Sequence, residues 1–464
     1  MFGKTEIKNA LGIDTAVSSQ MTNAIDLWGS IYVNRAPWVG KKCKSMNLGK
    51  AIASSFAMMA TIEMESVVDD EVINMEYQKL VDKLREYTEY GCGKGGFAAK
   101  PYLSNGEIAF DITQAEYFFP TAFDSKKRIT GAIFIDRKIE GKNVYTRAEH
   151  HTFEQGRYMI TNRAFLKTNV VDYTVQNDFG KEISLSEVEE WADIQPKTII
   201  TDIEQPLFAY FRMPGANPID DKTPLGMSVY GNAVDQIKEA DRQWTRTMWE
   251  YEATEAAIFA DQTLFRPKYS GGYGKPGGFA SMEKEIPEGK ERLFHLMQFK
   301  GDEKDLLIPY GPEIRDSALF HGLDQILKRI EYNVGLSFGI LSDPANVDKT
   351  ATEVIASKQR MYSTVKDIQK ALQQFLEDAA YAIAGMMAIS GLYENMNYSI
   401  SFNWDDSILV DKNTELLMMQ QDANSKLIKP EYYIAKKYGL DLEQAKEMMP
   451  EQQEVEYDPF NNLI

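Results

Sequence analysis

Cysteine is almost missing from this chain. Cys43 and Cys92 are the two in 464 residues, too few for a disulfide framework, which fits a reducing compartment. Histidine is nearly as scarce, with four. His150 and His151 are neighbours on an expected strand, so their side chains leave on opposite faces and cannot clamp one ion. His295 and His321 stand alone, and neither cysteine sits in a Cys-x-x-Cys spacing, so no metal site and no cofactor are expected. Long apolar runs are missing too. The strongest, residues 379–389, is too short to span a bilayer, and Met1 opens no signal peptide, so we expect a soluble, cytoplasmic chain with no membrane partner. Positive charge is in deficit: 51 Lys and Arg against 69 Asp and Glu give a net charge of −18. That argues against a protein that grips duplex DNA with one basic face. It leaves open a protein that must let DNA slide past without sticking.

Catalytic signatures are also lacking. The run GCGKGG at residues 91–96 invites a phosphate-loop reading, but the spacing fails. With Gly93 and Lys94 as the Gly-Lys pair, the first glycine falls on Thr88, and the Mg²⁺-holding Ser or Thr falls on Gly95. A glycine-rich helix-to-strand turn explains the run better. No Gly-x-Ser-x-Gly elbow and no His-Glu-x-x-His is present. Acidic pairs such as Asp405 and Asp406 read as helix caps or solvated faces. No catalytic residue is assigned.

What the chain does contain is a change of grain, from helix to strand and back, which predicts an α+β fold. An apolar content of 44% suits a globular protein with ample core. Helical patterns occupy residues 48–60 and 71–90. From residue 97 to about 203, short alternating runs separated by turn residues predict a β-meander. Helix returns over 229–260, where Ile237, Trp244, Met248 and Tyr251 can share a face. Residues 261–312 read as a compact insert of short strands, a small α/β module bracketed by that helix and a second one over 313–335. A polar break follows, and then the strongest pattern in the chain. From Thr350 to about Ile389 no proline intervenes. Thr350 and Glu353 fit a capping box, and Val354, Met361, Val365, Ile368, Leu372, Phe375 and Ala379 line one face. A strand at 397–403 and short helices at 412–423, 429–438 and 441–448 follow. The acidic tail after Met449 is expected to be loose.

The order of these elements carries a resemblance. Eight motifs bear it: IYVNRAPW at Ile31–Trp38, NLGKAIAS at Asn47–Ser54, YFFPTAFD at Tyr117–Asp124 and PLGMSVY at Pro224–Tyr230. They continue with ADRQWTR at Ala240–Arg246, VGLSFG at Val334–Gly339, KTATE at Lys349–Glu353 and DDSI at Asp405–Ile408. With this layout the chain resembles the portal proteins of tailed bacteriophages, specifically of siphoviruses of Gram-positive hosts. The resemblance implies a homo-oligomeric ring, usually of twelve subunits, at one capsid vertex of the virion, assembled in the host cytoplasm. Double-stranded DNA, contacted non-specifically, would be driven through it by the terminase large subunit and later leave by the same route. Further partners would be the major capsid and scaffolding proteins and a head-completion or adaptor protein.

Family architecture then implies a division of the chain. Residues 1–228 form a wing, β-rich from about 97. Residues 229–260 and 313–335 are stem helices, and 261–312 the clip. Residues 336–349 form the tunnel-loop region and 350–390 the long spine helix. Residues 391–464 supply the remaining wing and a small crown. Ser342, Asp343, Pro344, Ala345, Asn346, Val347, Asp348 and Lys349 would face DNA. Trp244, Met248, Trp249, Leu323, Ile326 and Ile330 would pack the stem. Two other readings stay open at this stage: a capsid-associated structural protein without DNA contact, and a nucleotide-hydrolysing enzyme.

Overall fold

The computed structural model describes residues 1–104, 106–170, 178–261, 264, 267–270, 281–284, 293–297, 307–343, 351–404, 412–425 and 427–448. The chain divides into two units, Met1–Ile62 with Ser66–Phe402, and Glu63–Glu65 with Asn403–Ile464. The class is α+β. The helices are α1 (Lys4–Leu11), α2 (Ser19–Tyr32), α3 (Leu48–Thr61), α4 (Glu71–Val81), α5 (Leu84–Lys94), α6 (Val234–Ala253), α7 (Asp316–Val334), α8 (Ala351–Ile389), α9 (Lys412–Asn424), α10 (Pro430–Tyr438) and α11 (Leu442–Glu447). The strands are β1 (Met64–Val68), β2 (Gly96–Ser104), β3 (Glu107–Gln114), β4 (Phe118–Phe123), β5 (Ile129–Glu140), β6 (Asn143–Glu154), β7 (Arg157–Lys167), β8 (Lys181–Ile183), β9 (Lys197–Thr201), β10 (Ala209–Arg212), β11 (Ala257–Asp261), β12 (Pro267–Ser270), β13 (Ser281–Lys284), β14 (Phe294–Met297), β15 (Leu307–Tyr310) and β16 (Ile400–Trp404).

The meander expected after residue 97 is present, in two sheets. β4-β5-β6-β7-β8 form an antiparallel sheet with β9 also on β7, while β10-β2-β3 form a second. The glycine-rich run at 91–96 is the turn between α5 and β2. Gly95 there has φ 93°, and a Cβ on it would lie 2.6 Å from the Gly226 carbonyl oxygen, so only glycine fits. Lys94 is buried and pairs with Glu116. It is a core ion-pair residue, not an exposed phosphate ligand.

Two boundaries differ from the sequence pattern. The helix expected over 71–90 is two helices, because the backbone at Lys83 (φ −104°, ψ 4°) leaves the helical region. α4 then buries Ile73, Tyr77 and Leu80, while α5 buries Leu84, Thr88 and Cys92. The helix expected to reach 260 ends at Ala253, since residues 257–261 pair as a strand with β14 and β15. Among the described residues the 261–312 insert contributes the short strands β12 to β15.

α8 has 39 residues, roughly 58 Å at 1.5 Å per residue. Val365, Ile368, Leu372, Phe375 and Ala379 are buried as their spacing predicts. They face α3, α4, β2 and β10, and Phe375 meets Phe97 edge-on at 4.8 Å between centroids. Each large side chain buried there contributes roughly 1.5–3 kcal/mol. Among the described side chains of α8 burial starts at Val365 and Met361 is half-buried; the expected cap at Thr350 and the Val354 side chain lie outside the described residues. In the second unit α10 starts with Pro430 in its first turn, and Asp441 with Gln444 closes a capping box on α11.

Candidate functional site

α6 and α7 pack against each other in antiparallel fashion. Arg315, at the start of α7, makes a two-pronged ion pair with Glu250 near the end of α6, at 2.9 and 2.8 Å. Gln243, one helical stretch earlier on α6, donates to the Leu319 carbonyl at 3.1 Å. The paired guanidinium holds the Glu250 carboxyl below the usual range. The insert therefore leaves the helix pair at one end, and residues 336–343 leave it at the other. Of the expected stem residues, Leu323 and Ile330 are buried, Trp244, Met248 and Ile326 are half-buried, and Trp249 is 62% exposed.

The segment after α7 is not a free connection. α7 ends at Gly335, and the chain folds back onto two acidic side chains of the helix it has just left. Glu331 is fully buried. Its Oε1 accepts from the backbone N–H groups of Gly339 (3.1 Å), Leu341 (2.6 Å) and Ser342 (3.0 Å), and its Oε2 from the Ser342 hydroxyl (2.8 Å). One turn-pair earlier, buried Asp324 accepts from the Asp343 N–H at 3.0 Å and pairs with Lys328 at 2.6 Å. Asp324 and Glu331 are seven residues apart, so they share the face that also carries Leu323, Leu327, Ile330 and Val334. This clamp fixes where the following residues depart.

The Ser342 hydroxyl, in the segment expected to face DNA, is turned inward to Glu331 and the residue is 5% exposed within the subunit. Asp343 is exposed and is the last described residue before the break. Pro344, Ala345, Asn346, Val347, Asp348 and Lys349 lie outside the described residues. Sequence reasoning missed Asp324 and Glu331. The available signal was two carboxyls set into an otherwise apolar helical stripe, which need partners to be buried at all.

A second charged cluster lies under the β5-β6-β7 sheet. Glu149 bonds Lys100 (2.7 Å), His151 (2.7 Å) and, at 3.4 Å, Arg147, while Lys100 also pairs with Asp111 at 3.1 Å. His151 is closed off on its other nitrogen by Tyr158. Burial alone would raise the Glu149 carboxyl, but Lys100, His151 and Arg147 outweigh it and hold it well below its ordinary value. Alternation along the strand sends His150 to the opposite face, where it meets Thr121 at 3.2 Å.

Burial pushes His150 down to about 4 and lowers His151 as well. In the unfolded chain both titrate near ~6.5. Below that pH the unfolded chain takes up protons that the folded one refuses, so stability is fully present above about 6.5 and is lost as pH falls towards 4. We expect the thermal midpoint to drop between pH 7 and 4.5 and His150→Gln to remove part of that slope. An unchanged slope in the variant would contradict this assignment.

The long α8, the paired α6 and α7 around a strand insert, and the clamped segment after α7 coincide with a family match over most of the chain. The model of the family "Phage portal protein, SPP1 Gp6-like" matches residues 61–457 of 464. The chain belongs to the SPP1 Gp6-like phage portal protein family. No curated protein sequence matches it. The family is structural, its members assemble into rings, and its place is the virion capsid vertex. No helix among the described residues is long and apolar enough to cross a membrane.

Proposed function

We propose that this portal protein forms a ring-shaped channel, of twelve subunits, at one capsid vertex. Double-stranded DNA is packaged through it by the terminase large subunit and later ejected, and head-completion proteins dock on it afterwards. The carrying observation is the layout of α6 and α7: a strand insert at one end of an antiparallel helix pair and an anchored loop at the other. In this reading the insert is the clip that meets terminase, and the loop after Asp343 reaches the channel. α8 is the spine running back into the wing. The energy for translocation comes from the partner ATPase.

The acidic balance suits the role. Each phosphate neutralised by a fixed cation adds affinity and slows sliding, so a conduit benefits from few such contacts. Lys349 is the cation we assign to passing phosphates. Because Ser342 and Asp343 belong to the clamp, a deletion should begin after them. Removing residues 344–348 should leave ring yield and thermal midpoint unchanged while reducing DNA packaged per particle by at least about tenfold, since a positioned contact is lost without loss of fold. Electron micrographs of the purified protein and nuclease-protected DNA in particles are the two readouts. A protein that never forms rings, or normal packaging by the deletion variant, would overturn the reading.

A further inference from the structure

Residues 27–62 contain Arg35, Lys41, Lys42, Lys44 and Lys50 and not one Asp or Glu, in a chain with 69 acidic side chains. All five cations are exposed. Elsewhere in the first unit many cations are paired within the fold, as Lys79 is with Glu76, Arg163 with Glu182 and Arg315 with Glu250. Here Lys44 reaches Glu252 at 3.7 Å. Arg35, Lys41, Lys42 and Lys50 have no acidic partner among the described residues.

The segment is a built hook rather than a loose loop. The Gly40 N–H donates to the Cys43 carbonyl at 2.9 Å and the Cys43 N–H returns at 3.3 Å, which puts Lys41 and Lys42 at the tip of a two-residue turn. Asp241 of α6, 2% exposed, holds both flanks of that turn, accepting from the Trp38 indole at 2.9 Å and from the Met46 N–H at 2.8 Å. Thr245 accepts from the Lys44 N–H at 2.8 Å. On α6, Thr245, Trp249 and Glu252 follow at steps of four and three and share one face. Since Lys44 touches both Thr245 and Glu252, the hook runs beside the exposed indole of Trp249.

We propose that the hook and Trp249 together are the docking surface for an acidic face of a second copy of this chain, an inference that rests on the ring reading above. An exposed indole on the helix face that the basic hook also meets suits a partner that excludes water from the ring while charges set register. A sliding duplex needs neither a fixed mount nor an indole. The occupant follows from charge: outside residues 27–62 the chain carries all 69 acidic side chains and 46 of the 51 basic ones. A head-to-tail ring joins two different patches of each subunit, and a basic hook with an acidic surface is such a pair.

The test uses the full chain, with the mass of assemblies measured by sedimentation at 50 and 500 mM NaCl and duplex DNA binding followed in parallel. Wild-type assembly should weaken with salt. The double variant K41E/K42E should assemble at least roughly tenfold more weakly at low salt, with unchanged thermal midpoint, and K41R/K42R should restore assembly. Trp249→Ala should weaken assembly at both salt concentrations. If K41E/K42E assembles like wild type, the hook proposal fails while the ring stands. If it loses only duplex affinity, the hook is a DNA contact and the proposal is wrong. A wild-type chain that stays monomeric throughout overturns the ring reading and the hook with it.

Discussion

Replacing Glu331 by alanine should strip three backbone N–H groups and one hydroxyl of their shared acceptor and free the 339–342 segment from α7. All four bonds converge on one carboxyl that has no exposure to solvent. Each donor left buried without a partner costs about 1–3 kcal/mol, and part of that is recovered when water reaches the opened loop. We therefore expect a loss of about 3–5 kcal/mol in unfolding free energy. The local readout is sharper. Amide exchange at Gly339, Leu341 and Ser342 should accelerate by about 10²–10³-fold, while exchange along α8 beyond Val365 stays slow. Glu331→Gln keeps one oxygen as acceptor and should lose less than half as much. If exchange at those amides is unchanged in the alanine variant, the clamp does not hold the loop. In that event the departure point of residues 344–349 is set elsewhere, and the proposed channel loop loses its anchor.

The second large effect is expected in the wing. Glu149→Ala leaves Lys100, itself 5% exposed, with only Asp111 beside it, and removes the acceptor of His151. Breaking one partner of a buried charge pair typically costs 3–5 kcal/mol, because the remaining charge stays desolvated. We expect about that loss in urea unfolding. Lys100→Met should cost less, since Glu149 keeps Arg147 and His151, and the double variant should cost less than the two single losses added. Strict additivity would mean that Lys100 and Glu149 do not act as a pair. The acid dependence has the same sign as that of the histidines. A carboxyl held well below its unfolded value contributes stability that is present above about 4.3 and lost as pH falls through its folded value. Glu149→Ala should therefore shallow the acid limb of the stability curve as well as lower the plateau.

Both sites turn on carboxyls that look unremarkable in sequence. Glu331 sits in a run with Arg329 and Lys328 and could equally have been a solvated helix face, and Glu149 stands in a strand that is covered on both faces. Periodicity places such a residue on a face but does not identify its partner. The partners of Glu331 lie eight to eleven residues on, across a helix end, and those of Glu149 include Lys100, on a different sheet. Trp249 shows the converse. The family layout implied a packed stem residue, yet within one subunit it is exposed, because Thr245 and Glu252 on that face are met by the hook from residues 38–46 and the indole is not.

By itself the sequence determined the α+β class, the meander, the rod from residue 351 to 389 and the helix pair around an insert. These follow from local periodicities of 2 and 3.6 that the backbone imposes on any buried face. It also determined that Gly93 and Lys94 could not cradle a phosphate, since that requires a fixed spacing. Only the tertiary structure decided that 71–94 is two helices, that 257–261 is strand, and that Lys94 belongs to the core. It alone showed that Ser342 is an anchor held by Glu331, and that Asp241 mounts a basic hook on α6. Each of these depends on residues distant along the chain meeting in space, where the cost of burying a polar group selects one pairing and excludes the rest.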